Sequence, residues 1–143
     1  MYINQISVFM ENKPGNLADL TSFLAENNID MRALEVADSS DYGIVRIIVD
    51  DPFNTLTLLK DNDWICKLTP VIGVKIPNTP GAMAKIMSIL AVKNISVEYI
   101  YAFLAQKTDD ALLVFRVQDN EKVAALLKKN DITIVSQKDL AKY

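Results

Sequence analysis

Two short loops carry the residues best placed to do chemistry. One reads Asn12-Lys13-Pro14-Gly15-Asn16-Leu17, the other Asn78-Thr79-Pro80-Gly81-Ala82-Met83. Each stands between a strand-like apolar run and a helix-like run. Proline fixes φ and brings no N–H to the start of a helix. Glycine after it removes the side chain that would keep a ligand from the backbone. The next amides, of Asn16, Leu17, Ala82 and Met83, are expected to be the unpaired donors of a helix N-terminus. Such donors, with the helix dipole behind them, suit a carboxylate. An ammonium group on the same ligand needs acceptors. Asn12, Asp30 and Glu35 could supply them in the first half, Asn78 and Ser96 in the second. The plain alternative is a structural turn, with Asn12 and Asn78 closing Asx-turns.

Other chemistries find little to work with. Histidine is absent and Cys66 is the single cysteine. The commonest general base and the usual zinc or copper ligands are therefore missing. No nucleophile–base pair and no glycine-rich phosphate loop is legible, so the expectation is a protein that is not an enzyme and needs no cofactor. The Asp50-Asp51 and Asp109-Asp110 pairs read as solvated turn acids rather than as a Mg²⁺ or Ca²⁺ site. The formal charge is −3 and no basic cluster occurs, which argues against nucleic acid. No apolar run approaches a membrane span and the N-terminus lacks a signal peptide's pattern. With one cysteine, these features predict a cytoplasmic protein.

The elements that must hold the loops come in two copies. From Ile6 to Met31 the chain matches itself 66 positions on: Ile6 with Ile72, Pro14 with Pro80, Gly15 with Gly81, Leu24 with Leu90, Asn28 with Asn94. A two-residue insertion in the 104–110 turn shifts the offset to 68. Leu58-Leu59-Lys60 then lies over Leu126-Leu127-Lys128. Such self-similarity marks a tandem duplication. Each copy reads strand, helix, two strands, helix, strand. Leu17, Leu20 and Leu24 form one helical stripe; Met83, Ile86 and Leu90 form its counterpart. Asn28 and Asn94 sit where a helix needs a left-handed last residue. Ser136 and Asp139 could cap a brief terminal helix. The predicted fold class is α+β: two ferredoxin-like βαββαβ units, antiparallel sheets with both helices on one face, over residues 1–69 and 70–143.

A sheet covered on one face should alternate apolar with polar. The third strand instead reads Ile44-Val45-Arg46-Ile47-Ile48-Val49, and its copy Leu112-Leu113-Val114-Phe115-Arg116-Val117. The second face is thus expected to be covered as well, by the other unit or by a second chain. Association of the units, with a homodimer on top, is the reading.

Many families share this plan, and fold alone does not give function. RNA-recognition domains stack bases on strand aromatics, and the third strand is mainly aliphatic. Acylphosphatase-like enzymes need a first-loop arginine, and ferredoxins need clustered cysteines; neither occurs. The stretch Val8-Phe9-Met10-Glu11-Asn12-Lys13-Pro14-Gly15-Asn16-Leu17-Ala18, with Asn28-Ile29-Asp30 after the helix, closely resembles the ACT domain. So does Val74 to Ala84 with Asn94-Ile95-Ser96. The resemblance covers both repeats.

The resemblance implies a sensor of small molecules, most often amino acids, that regulates an enzyme of amino-acid metabolism. Serine-sensing members that this chain resembles use the loop Asn with the residue opening strand two, here Asn12 with Asp30 and Asn78 with Ser96. They also use a polar residue two before that Asn, where this chain has Met10 or Ile76. An apolar or aromatic amino acid is therefore the expected ligand. The candidate ligand-binding set is Asn12, Pro14, Gly15, Asn16, Leu17, Asp30, Asn78, Pro80, Gly81, Ala82, Met83 and Ser96. Tyr99, Tyr101 and Phe103 occupy positions where the first unit has Ala33, Glu35 and Ala37. The competing expectation is a dimerising adaptor whose ligand sites are vestigial.

Overall fold

The computed structural model describes residues 2–38, 42–104 and 107–143. Met1, residues 39–41, and residues 105 and 106 of the turn that carries the insertion lie outside the described residues. The elements run β1 (Ile3–Glu11), α1 (Asn16–Glu26), β2 (Ala33–Asp38), β3 (Tyr42–Ile48), α2 (Pro52–Asp61), β4 (Ile65–Pro77), α3 (Ala82–Val92), β5 (Tyr99–Ala102), β6 (Asp110–Arg116), α4 (Asn120–Lys129) and β7 (Thr133–Val135). A 3₁₀ turn, Gln137–Lys142, ends the chain. Strand–helix–strand–strand–helix–strand thus occurs twice, with antiparallel pairing, as the repeat predicts.

In the N-terminal unit the strands lie in the order β2–β3–β1, with β4 beside β1. Val8 pairs with Val45, and Leu34 with Ile47. Alternate residues then point to one face, where Ile6, Val8, Val45 and Ile47 meet Leu20 and Leu24 of α1 and Leu59 of α2. Trp64 and Met10 pack at the margin of that core. In the C-terminal unit the order is β5–β6–β4–β7. Ile72 and Val74 of β4 and Phe115 of β6 meet Ile86, Leu90, Val123 and Leu127 of the helices. The third strands are apolar on both faces, and Ile48, Leu112 and Val114, on the side away from the helices, are buried as well.

Helix ends follow the local signals. Asn28 and Asn94 take left-handed φ of 55°, so that Ile29 and Ile95 donate back to Leu24 and Leu90. Asp63 and Asp131 do the same after α2 and α4. Asp51 and Asp119 cap those helices, accepting from the amides of Asn54 and Lys122. Asp50 is clasped by Arg32 at 2.9 and 3.2 Å. The first aspartate pair is thereby spent on a cap and an ion pair.

The structure departs from the sequence reading at two places. The stretch 64–76 reads as two strands around Leu68-Thr69-Pro70-Val71, yet β4 is one strand of 13 residues. Proline lacks only a donor, and an extended φ suits it. The Pro70 carbonyl is also held, by Arg116 Nη1 at 2.9 Å and Asn120 Nδ2 at 3.1 Å. Two compact units divide the chain, Asn4–Thr69 and Pro70–Tyr143, but Tyr2 and Ile3 belong with the second. Ile3 is fully buried and lies where a side chain on Gly73 would stand: a Cβ there would be 2.4 Å from Ile3 Cδ1. Glycine at 73 makes the room, and the Tyr2 carbonyl accepts from the Gln137 amide.

The terminal turn carries a capping box. Asp139 Oδ2 accepts from the Ser136 amide and hydroxyl at 2.9 and 2.7 Å, and Oδ1 accepts from Lys142 Nζ at 2.8 Å. Lys142 first, then Ser136, hold the Asp139 carboxyl well below the usual carboxylate range. A depressed acid stabilises the fold above its unfolded value, about 3.9, and that contribution fades as pH falls through the folded value. Amide exchange at Asp139 and Tyr143 is expected to accelerate on acidification, once corrected for intrinsic rates. Asp139→Asn should show the fast exchange already at neutral pH. Equal protection in variant and parent would remove the capping role.

Candidate functional site

The two Pro-Gly loops are type II turns by their geometry. Proline stands second and glycine third, with Gly15 at φ 92°, ψ −19° and Gly81 at φ 90°, ψ −14°. The backbone demands glycine there, since side chains are strained at such angles. Crowding does not: a Cβ on either glycine would meet nothing within 4 Å. Open space faces both turns.

The turn corrects one expectation. A type II turn closes by a bond from its fourth amide to its first carbonyl. Asn16 N donates to Lys13 O at 3.2 Å, and Ala82 N to Thr79 O at 3.3 Å. These two amides are used inside the protein. The first intrahelical bonds come from Asp19 to Gly15 and from Lys85 to Gly81. Between them, the amides of Leu17 and Ala18, and of Met83 and Ala84, have no backbone acceptor and no side-chain cap among the described residues. The open donors are thus Leu17 and Ala18, and Met83 and Ala84, with Asn16 and Ala82 removed from the expected set.

The loops differ in how far they satisfy themselves. In the first, Asn16 Nδ2 donates to Glu11 O at 2.6 Å and Asn12 Nδ2 to Asp38 Oδ1 at 2.9 Å. Lys13 pairs with Glu11, which raises the lysine pKa through that hydrogen bond. In the second, Ala82 has no side chain with which to close the loop, and Asn78 is exposed with no hydrogen bond among the described residues.

Beside the second loop lies an open cleft of about 450 Å³. Gly81, Ala82 and Lys85 form its helix side; Lys75 and Asp110 stand at the strand ends, and Asp131 and Ile132 at the entry to β7. Lys75 and Asp110 make a loose ion pair at 3.8 Å, and Lys75 Nζ lies 5.6 Å from the Tyr143 ring centre. Lys85 and Asp131 have no ion-pair partner among the described residues. The cleft therefore offers a cation on the first turn of a helix together with acids from two other elements. That is the complement of a small zwitterion.

Other residues of the sequence-derived set are elsewhere. Asp30 and Ser96 follow the far ends of α1 and α3, helices about 16 Å long at 1.5 Å per residue. Each lies in its own shallow cleft: Ser96 with Asn94, Glu98, Asp119 and Lys122 in about 240 Å³, Asp30 with Asn27, Asp51 and Asn54 in about 260 Å³. Neither shares a cleft with the loop Asn of its own unit. Glu35, a candidate acceptor, is engaged by Arg46 at 3.0 Å, its cross-strand neighbour. Pro14 and Pro80 hold the turns, and Leu17 and Met83 stand exposed on the first helical turns. Tyr99 and Tyr101 stack at 6.4 Å on the sheet face away from the helices. Sequence reasoning missed Lys75, Lys85, Asp110 and Asp131. One signal was available: the repeat places Lys85 over Asp19, a reversal of charge in the first turn of matched helices.

A family described as an ACT domain pair matches residues 1–143. Among solved structures, a protein from Bacteroides thetaiotaomicron is 38% identical, with a TM-score of 0.90 over 100% of this chain and 98% of that one. The regulatory subunit of aspartate kinase from Thermus thermophilus, in its ligand-free form, is 17% identical with a TM-score of 0.61, covering 89% and 91%. Its counterpart from Thermus flavus is 19% identical with a TM-score of 0.55, covering 88% and 90%. These two share the fold. No curated protein matches the chain.

Proposed function

The chain belongs to the ACT domain family as a tandem pair, and from that premise we propose that it is a regulatory module that binds an α-amino acid at its Pro-Gly turns. The observation that carries the reading is the cleft beside Gly81, lined by Lys75 and Lys85 and by Asp110 and Asp131, with the open Met83 and Ala84 amides on the same first helical turn. A carboxylate is received by the helix start and the lysine, an ammonium by the acids. Ile76 and Ile132, both nearly buried, add an apolar wall for the ligand's side chain. We assign an apolar or aromatic amino acid on that ground.

The module acts by population shift: a ligand that binds one arrangement better favours it, and a partner reads the change. The partner class, an enzyme of amino-acid metabolism, comes by analogy with the aspartate kinase subunits that share the fold. A homodimer is the assembly proposed, on the reading of the sequence; Ile48, Leu112 and Val114 are already buried within the single chain and do not themselves call for it. No catalytic role is assigned.

Calorimetry and thermal melts against each of the twenty amino acids at millimolar concentration test this. One chemical class is expected to bind. At a free concentration a hundred times Kd the gain is about 2.7 kcal/mol, roughly 10 to 20 °C in Tm for a unit of this size. Absence of heat and of any shift across the whole panel would reject the sensing role and leave the adaptor.

A further inference from the structure

We propose that the two repeats have diverged in what they do, so that the second repeat alone takes the amino acid and the lysine at position 85 decides it. This rests on the ligand reading above. At the first repeat Gly15 and Asp63 keep the places of Gly81 and Asp131, but the charged and contouring residues around them have changed. Asp19 occupies the position of Lys85, so an acid stands where the carboxylate would be received. Asn16 closes its own loop onto Glu11, where Ala82 leaves the loop open. Tyr42 replaces Asp110, which removes an acceptor for the ammonium. Trp64, packed against Phe23 at 6.1 Å, replaces Ile132, and Phe9, beneath Lys67 at 5.5 Å, replaces Lys75. Neither charge of a zwitterion keeps its full set of partners there.

The helix dipole sharpens the contrast. An acid in a first turn stabilises a helix, and Asp19 in α1 follows that rule. Lysine in the first turn of α3 opposes it. Lys85 is exposed, has no ion-pair partner among the described residues, and contributes no packing to the core cluster. A local rule broken without structural gain marks a residue kept for something else. A ligand carboxylate restores the missing negative charge.

The test is an amide-resolved NMR titration of the full chain with each of the twenty amino acids, together with calorimetric stoichiometry. The expected result is saturating shifts at Met83, Ala84 and Lys85, none at Leu17, Ala18 and Asp19, and one ligand per chain. Lys85→Gln should weaken binding roughly tenfold, the loss of one charge-assisted hydrogen bond, and Lys85→Glu by more. A purely structural lysine predicts a lower Tm on substitution; the dipole argument predicts an unchanged or higher one. Asp19→Lys should leave the affinity as it was. Two ligands per chain, saturating shifts at Leu17 and Ala18, or unaltered affinity in Lys85→Glu would each overturn the divergence of the repeats while leaving the sensor standing. Silence at both loops with all twenty would overturn sensor and divergence together.

Discussion

Gly81→Val is expected to abolish ligand binding, by at least a hundredfold, while the unit remains folded. Two effects of this substitution separate cleanly. The first is strain. Gly81 has φ 90°, and a β-branched residue there is a genuine outlier. The cost is about 1–2 kcal/mol, a fraction of what a unit of this size can spare. The second is obstruction. A new Cβ would meet nothing within 4 Å beyond its own chain neighbours, so the added branch point itself causes no collision. Gly81 lines the cleft, so the valine side chain competes with the proposed ligand for that space. Gly15→Val supplies the control. Its φ is 92° and its surroundings are equally open, so it carries the same strain. It should lower Tm by a similar amount and leave binding intact. The difference between the two variants, measured by calorimetry, isolates the ligand contact from the backbone cost. Parent-like affinity in Gly81→Val would place the site elsewhere.

The fold was legible because its signals are local and doubled. Asn28 and Asn94 announce helix ends, and both take φ 55°. Leu20 with Leu24, and Ile86 with Leu90, announce the buried stripes, and all four are buried. Leu17 and Met83 share the spacing but belong to the first turn and stay exposed. Ser136 with Asp139 announced the terminal cap. What escaped is what depends on partners far away in sequence. Nothing in Tyr2-Ile3 says that these residues serve the C-terminal unit; the space at Gly73 does. Pro70 reads as a break until its carbonyl is found held by Arg116 and Asn120.

The site was half legible for a related reason. Turn and helix start are contiguous residues, so Gly81 and Ala82, the two of the predicted set that line the candidate cleft, could be named from the chain. Counting free amides required the turn's own hydrogen bond, and that bond consumes Asn16 and Ala82. Asp30 and Ser96 are close to the loops in sequence order of elements but a helix length away in space. Lys75, Lys85, Asp110 and Asp131 come from four separate elements, and only the fold gathers them. The repeat itself carried the sharper information in its mismatches. Where the copies agree they report the fold; where they disagree, as at 19 and 85, they report divergence.

The largest effect on stability is expected from Phe115→Ala. Phe115 is fully buried, on the helix-facing side of β6, opposite Ile72. It belongs to the core with Ile86 and Leu90 of α3 and Val123 and Leu127 of α4. Truncating such a ring costs about 3–5 kcal/mol, transfer and cavity together. At about 0.05–0.15 kcal/mol per residue, a unit of this length holds only roughly 4–11 kcal/mol, so most of its margin goes. The corresponding residue of the first repeat is Ile47, also fully buried; Ile47→Ala costs about 2–5 kcal/mol in the other unit. The chain's one tryptophan, Trp64, lies at the margin of the N-terminal core. Its fluorescence therefore follows that unit, while far-ultraviolet circular dichroism follows both. Phe115→Ala should move the dichroism transition down first, by at least about 12 °C at 4 °C per kcal/mol, with the Trp64 signal lagging. Ile47→Ala should move the Trp64 signal first. A shift of only a few degrees in Phe115→Ala would mean that α3 and α4 close on the sheet without that ring. The Pro-Gly turn at the start of α3 would then rest on a looser support than the packing here requires, and a carboxylate site built from it would lose its rigidity as well.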